Sequence, residues 1–171
     1  LMTQLRDGSI IDVPTATVAM LRLQQLVCGY LPDADGKLIN VGNERINTLL
    51  EIVEQVEGPV VIWARFREDI RRIEEALTKV YGKDQCVTYH GDTSSKDRTK
   101  AIAMFRSGER RFFIGIQSAG GTGTNLQGDC QTAIYYSNSF DAIHRWQSED
   151  RIHRIGTKGA CTYFDLVAAR S

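Results

Sequence analysis

Apolar positions along this chain repeat with two periods, and the switches between them mark out its elements. From about Thr17, Val18, Leu21 and Leu26 fall to one side of a helix that Gly29 and the turn cluster Pro32 to Gly36 bring to a stop. Ile46, Leu49, Leu50, Val53 and Val56 follow at i, i+3, i+4, i+7 and i+10, an amphipathic helix ended by Gly58 and Pro59. The run VVIWA, 60–64, is continuously apolar and rich in β-branched residues, as a strand covered on both faces must be. A helix comes next, with Ile70, Ile73, Leu77 and Val80 on one side, and then the strand CVTYH, 86–90. Ser94 with Asp97 three residues on is a capping signal for a helix that turns Ala101, Ile102 and Phe105 inward. RFFIGI, TAIYYS and ACTYFDLV complete roughly five buried strands separated mostly by helices. Strand and helix in alternation predict right-handed crossovers, a mostly parallel sheet and a layered α/β domain whose ligands gather at the carboxyl ends of the strands. The boundaries expected are a helical lead-in or linker over 1–36 and the α/β domain over 37–171.

In WQSEDRIHRIG, 146–156, offsets of four and three would place Gln147, Arg151 and Arg154 on one face of a helix, with Ile143, Trp146, Ile152 and Ile155 pointing elsewhere. Two planar, permanently charged guanidinium groups on one ridge suit a carboxylate or a phosphate. A second anion feature is QSAGGTGTNLQG, 117–128, where Gly120, Gly121, Gly123 and Gly128 leave backbone amides uncovered after a strand. A tight turn is the bland alternative. Leu126 occupies the place of the third glycine of a dinucleotide loop, which sets that reading aside. The chain also lacks Gly-Lys followed by Ser or Thr, since Leu38 follows Lys37 and Asp84 follows Lys83, and it contains no Asp-Glu pair to hold magnesium. An arginine fork without a triphosphate cradle fits an arginine finger that completes a site held elsewhere.

Composition narrows the field. With 42% hydrophobic residues among 171, the chain can bury one good core. Its 21 basic and 21 acidic residues cancel, so any contact with nucleic acid must come from a local patch. Cys28, Cys86, Cys130 and Cys161 are far apart with no CxxC pair, and read as ordinary thiols rather than metal ligands. No run of eighteen apolar residues and no leader pattern occurs, which favours an intracellular protein with no membrane contact. His90, His144 and His153 read as structural, and Trp63 as core.

VVIWARF, YHGDTSSKDRTKAIAMF, GIQSAGGTGTNL, AIYYSNSF and RWQSEDRIHRIG stand in the order and spacing of motifs of a known family. Over Val60 to Val167 the chain resembles the C-terminal lobe of the Swi/Snf-type, helicase superfamily two DNA-dependent ATPases. The form IYYSNSF is similar to bacterial and phage members. The resemblance implies a RecA-like three-layer lobe whose Arg151 and Arg154, ordered by Gln147, reach ATP and Mg²⁺ held mainly by an N-terminal lobe. It implies nucleotide contacts for Gly121, Gly123, Asn125 and Asp150. DNA, in duplex form, would meet Arg65, Gly91, Thr93, Ser94, Ser118, Gly120 and Thr122, and be tracked rather than unwound. The loop Gly120 to Asn125 would couple nucleotide state to grip. Thr157 stands where the family usually has Gln and Thr124 where an aliphatic residue is usual. The chain ends before the helix that usually follows DLV, so a piece of a longer cytoplasmic protein is expected, monomeric and without ATPase activity alone. The alternative is a nucleic-acid-binding module with no ATPase role.

Overall fold

The long apolar runs become the strands of a central sheet, and the amphipathic runs become the helices that cover it. The structure is a computed structural model that describes residues 2–4, 10–12, 15–119, 126, 130–153 and 159–169. Two compact units divide it, residues 1–47 with 168–171 and residues 48–167.

In the first unit, β1 (Met2–Gln4) pairs antiparallel with β2 (Ile10–Asp12). α1 (Ala16–Val27) follows, its first turn capped by Thr15 Oγ1, which accepts from Val18 N at 3.2 Å. Val18 and Leu21 are half-buried, but Leu26, expected beside them, is exposed. At 100° per residue Leu26 lies about 140° round the helix from Leu21, off the inward stripe. The turn cluster after α1 joins a hairpin that the apolar pattern did not predict, β3 (Tyr30–Pro32) against β4 (Leu38–Asn40). Asp33 closes its turn, Oδ1 accepting from Asp35 N at 3.0 Å and Lys37 N at 2.7 Å. α2 (Glu44–Gln55) then begins, with Ile46, Leu49 and Val53 buried as the periodicity predicts.

The second unit holds β5 (Val60–Ala64), α3 (Arg67–Tyr81), a single 3₁₀ turn over Lys83–Gln85, β6 (Cys86–Tyr89), α4 (Ser95–Arg106) and β7 (Phe112–Ile116). It continues through β8 (Thr132–Tyr135), α5 (Ala142–Glu149) and β9 (Thr162–Asp165). The sheet order is β6-β7-β5-β8-β9 and every neighbouring pair is parallel. β5 is therefore central, with Val61 in register with Phe113 on one side and Ala133 on the other. All five of its side chains are buried, which is why the run could be uniformly apolar.

Alternate residues serve opposite faces. Val61, Trp63, Val87, Tyr89, Phe113, Ala133 and Tyr135 pack with Ala101 and Phe105 of α4. The other face carries Phe112, whose ring meets Tyr81 of α3 at 5.1 Å. Helices thus cover both faces in a three-layer α/β arrangement. On α3, Ile70, Ile73 and Leu77 are buried but Val80 is exposed. Val80 falls about 80° round from Ile70, whereas Tyr81 falls about 20° away and takes the inward place. Among the described residues, no helix is long and apolar enough to cross a membrane.

Candidate functional site

Parallel packing brings the carboxyl ends of β5, β6, β7, β8 and β9 to one edge of the sheet, and among the described residues Arg65, Gly91, Thr93, Ser94 and Ser118 follow those ends. Arg65 directly follows β5. Its amide donates to Ser137 Oγ at 2.8 Å, and that hydroxyl donates to Asp69 Oδ2 at 2.5 Å. Asp69 is wholly buried in the first turn of α3, where a carboxylate is favoured by the helix dipole, and it also accepts from Phe66 N at 3.3 Å. The turn that carries Arg65 is thus fixed from below, while its guanidinium lies 4.9 Å from the Phe140 ring centroid and 5.4 Å from that of Phe66. Sequence reasoning missed Asp69 and Ser137, although Asp69 sits three residues after Phe66, where a helix N-terminus favours an acid.

Beyond β6, His90 to Ser94 form a closed turn. Thr93 N donates to His90 O at 3.1 Å, and His90 N donates to Thr93 Oγ1 at 3.2 Å. Arg98 fastens the turn to α4, donating to His90 O at 3.0 Å and Gly91 O at 2.7 Å. Asp92 at its tip pairs with Arg67 of α3. Gly91 is exposed, and a Cβ there would meet nothing within 4 Å. The Ser94 hydroxyl caps α4, accepting from Asp97 N at 3.1 Å and donating to Asp97 Oδ2 at 2.7 Å. The His90 and Thr93 amides and the Ser94 hydroxyl are therefore all engaged within this turn and its helix cap.

The arginine motif departs from expectation. α5 ends at Glu149 with Asp150 as its exposed cap, so Gln147 and Arg151 do not share one helical ridge. Arg151 lies in the following turn and folds back, its Nε donating to Gln147 O at 3.1 Å. It covers one of the last open carbonyls of α5, as a cation at a helix C-terminus is placed to do. Its guanidinium is buried, 5.9 Å from the Trp63 ring centroid. Burial lowers its pKa, against the opposing effect of the neighbouring Tyr89. The Gln147 side chain is exposed, as are Ile143 and Trp146, which the pattern had not led one to expect. Arg154 lies outside the described residues, as do Gly120, Gly121, Thr122, Gly123, Thr124 and Asn125 of the glycine loop and Thr157. The ends of that loop are described: Ser118 is exposed in a turn after β7, and buried Leu126 donates its amide to Arg151 O at 3.2 Å. The far end of the glycine loop is thereby tied to the arginine turn.

A row of polar side chains crosses the same edge, and none was singled out in the sequence. Buried Gln117, directly after β7, donates from Nε2 to Asn138 Oδ1 at 3.1 Å and accepts from Ser139 N at 3.1 Å. Asn138 Nδ2 donates to Asp165 Oδ1 at 2.9 Å. Arg145 of α5 grips both Asp165 oxygens, with Nη2 to Oδ2 at 3.0 Å, and its Nε reaches Glu149 Oε1 at 2.5 Å. Burial by itself would push the Asp165 carboxyl up, but the bonds from Arg145 and Asn138 prevail and hold it below the ordinary aspartate value. Gln117, Asn138 and Asp165 lie at the polar ends of strand runs, a signal that strand patterning treats as a boundary only.

The four cysteines are free thiols, and burial lifts Cys86 and Cys130 to about 11. Among the described residues, no group of three or more His, Cys, Asp or Glu converges to hold a metal ion.

Residues 44–156 match the model of the helicase conserved C-terminal domain. Among curated proteins, the chain is 28% identical over 149 residues to the probable ATP-dependent RNA helicase ddx41 of Dictyostelium discoideum, covering 87% of this chain and 19% of that protein. It is 31% identical over 83 residues to the chromatin structure-remodeling complex subunit snf21 of Schizosaccharomyces pombe, 47% of this chain and 7% of that protein. The crystal structure of the C-terminal part of the Fun30 ATPase domain superposes with a TM-score of 0.65 at 24% identity, covering 72% of this chain and 40% of that one. The chain thus spans a minor part of each of these relatives.

Proposed function

Because the chain belongs to the helicase conserved C-terminal domain family, we propose that it is the second motor lobe of a Swi/Snf-type ATPase that tracks along duplex DNA. The observation that carries this reading is the bond from Leu126 N to Arg151 O, which joins the glycine loop to the arginine turn at the carboxyl edge of the sheet. ATP with Mg²⁺, held by an N-terminal lobe, supplies the phosphoanhydride bond. Arg154 then donates to the phosphoryl oxygens as charge builds on them, Arg151 supports it from its buried seat, and Gln147 orders the approach. Gly121, Gly123, Asn125 and Asp150 border the nucleotide. Arg65, the Gly91, Thr93 and Ser94 turn, and Ser118, Gly120 and Thr122 meet DNA phosphates. Bacterial or phage origin and a cytoplasmic site belong to this reading on the form IYYSNSF alone; the relatives named above do not support them.

This lobe alone is monomeric and hydrolyses no ATP, since the triphosphate cradle is not in it. The pure chain should bind duplex DNA weakly, with affinity falling as salt rises. DNA-stimulated turnover by the pure chain would overturn the assignment of the cradle to another lobe. Failure to bind DNA at low salt would overturn the assignment of the phosphate contacts. The match to ddx41 over most of the chain favours RNA as a second reading. Stimulation of the full-length protein by duplex RNA in preference to duplex DNA would establish it.

A further inference from the structure

We propose that Gln117 and Asn138 are positioning residues through which nucleic acid at the start of the glycine loop sets the seat of α5 and so of the arginine turn. This rests on the reading of the chain as a motor lobe. Gln117 is the residue immediately before Ser118, and its side chain crosses above β5 to the tail of β8. From there the row runs through Asn138 to Asp165 beyond β8, and through Arg145 into α5. The carboxyl ends of β7, β8 and β9 are linked by side chains along the edge of the sheet.

What makes this row a control point is how α5 is held. Only Ser148 on that helix is buried, while Ile143 and Trp146 are exposed. Its anchors are polar: Ser148 Oγ at 2.9 Å from Tyr135 Oη, and Arg145 stacked 3.5 Å from the Tyr135 ring centroid while holding Asp165. A helix seated by apolar interlocking resists small displacements. One seated by a few directional bonds follows its partners. The Arg145–Asp165 pair is the strongest of these bonds, and Asn138 shares the same carboxylate oxygen, so any movement of Gln117 is felt at Arg145.

The test uses the full-length protein. In the wild type, duplex DNA should stimulate turnover and slow hydrogen exchange of the α5 amides. In Gln117→Ala, DNA affinity, DNA-free turnover and the KM for ATP should stay within about twofold, while stimulated kcat drops about fivefold or more and α5 exchange no longer responds to DNA. Asn138→Asp, which sets a second carboxylate against Asp165, should uncouple as well. Adding Asp165→Asn should recover much of the stimulation, because the amide then at position 165 can donate to the carboxylate at position 138 and still accept from Arg145. Wild-type stimulation and wild-type α5 protection in Gln117→Ala overturn the proposal. Should that variant melt too early to assay, the pair of substitutions at 138 and 165 decides, and no recovery on adding Asp165→Asn overturns it. A wild type that neither binds DNA nor answers to it defeats the motor-lobe reading itself, and this inference with it.

Discussion

Arg151, proposed to support a phosphate-binding arginine, has the surroundings of a structural residue. Its Nε holds the carbonyl of Gln147 and its guanidinium lies against the aromatic core. Arg151→Ala should therefore cost about 1–3 kcal/mol of stability in addition to turnover, because a buried charge-assisted bond and its packing are lost together. Thermal melting of the isolated chain checks this, and an unchanged melting temperature would place the side chain in solvent. Asp165 supports a pH prediction. Its carboxyl is held below the ordinary value, so its contribution is complete at neutral pH and is lost as pH falls through about 4 and below. Asp165→Asn should thus lower the melting temperature near neutrality and show a shallower decline toward about pH 3 than the wild type. Parallel declines in the two proteins would contradict the pairing.

Element by element, the apolar periods located the central strands and their helices, because burial on both faces leaves a strong signature in composition. They failed where the fold is set by polar contacts. α5 stops at Glu149 since Arg151 turns inward to cap it, which helical offsets could not reveal. The polar row from Gln117 to Arg145 was illegible for a related reason: it is assembled from three strand ends that meet only through sheet order. The hairpin of β3 and β4 was half legible, its turn read from Pro32 to Gly36 and its strands too short for a period. One glycine needs no turn to explain it. A Cβ on Gly115 in β7 would lie 3.0 Å from both Phe113 Cε1 and Trp63 Cζ3, so a methyl fits there only if the two buried rings move aside. Gly115→Ala should destabilise the chain by about 1–3 kcal/mol, read in denaturant unfolding, through displaced rings. A midpoint equal to the wild type would show that the rings yield freely.

For the molecule as a whole, a parallel sheet places the closed turn after β6, the start of a glycine loop and an arginine turn on one edge, the edge at which the proposed function puts its contacts. Family membership establishes the class, and the central claim of the account is that this edge completes the site with Arg154. The direct measurement is DNA-stimulated ATP hydrolysis by full-length Arg154→Ala, taken beside its melting curve and its ATP affinity. Arginine fingers contribute about 10³ to 10⁵ in rate, so turnover should drop at least about 10²-fold with the fold and nucleotide binding intact, and Arg154→Lys should not restore it. Near-normal turnover in Arg154→Ala, or turnover lost only together with the fold, would contradict the claim.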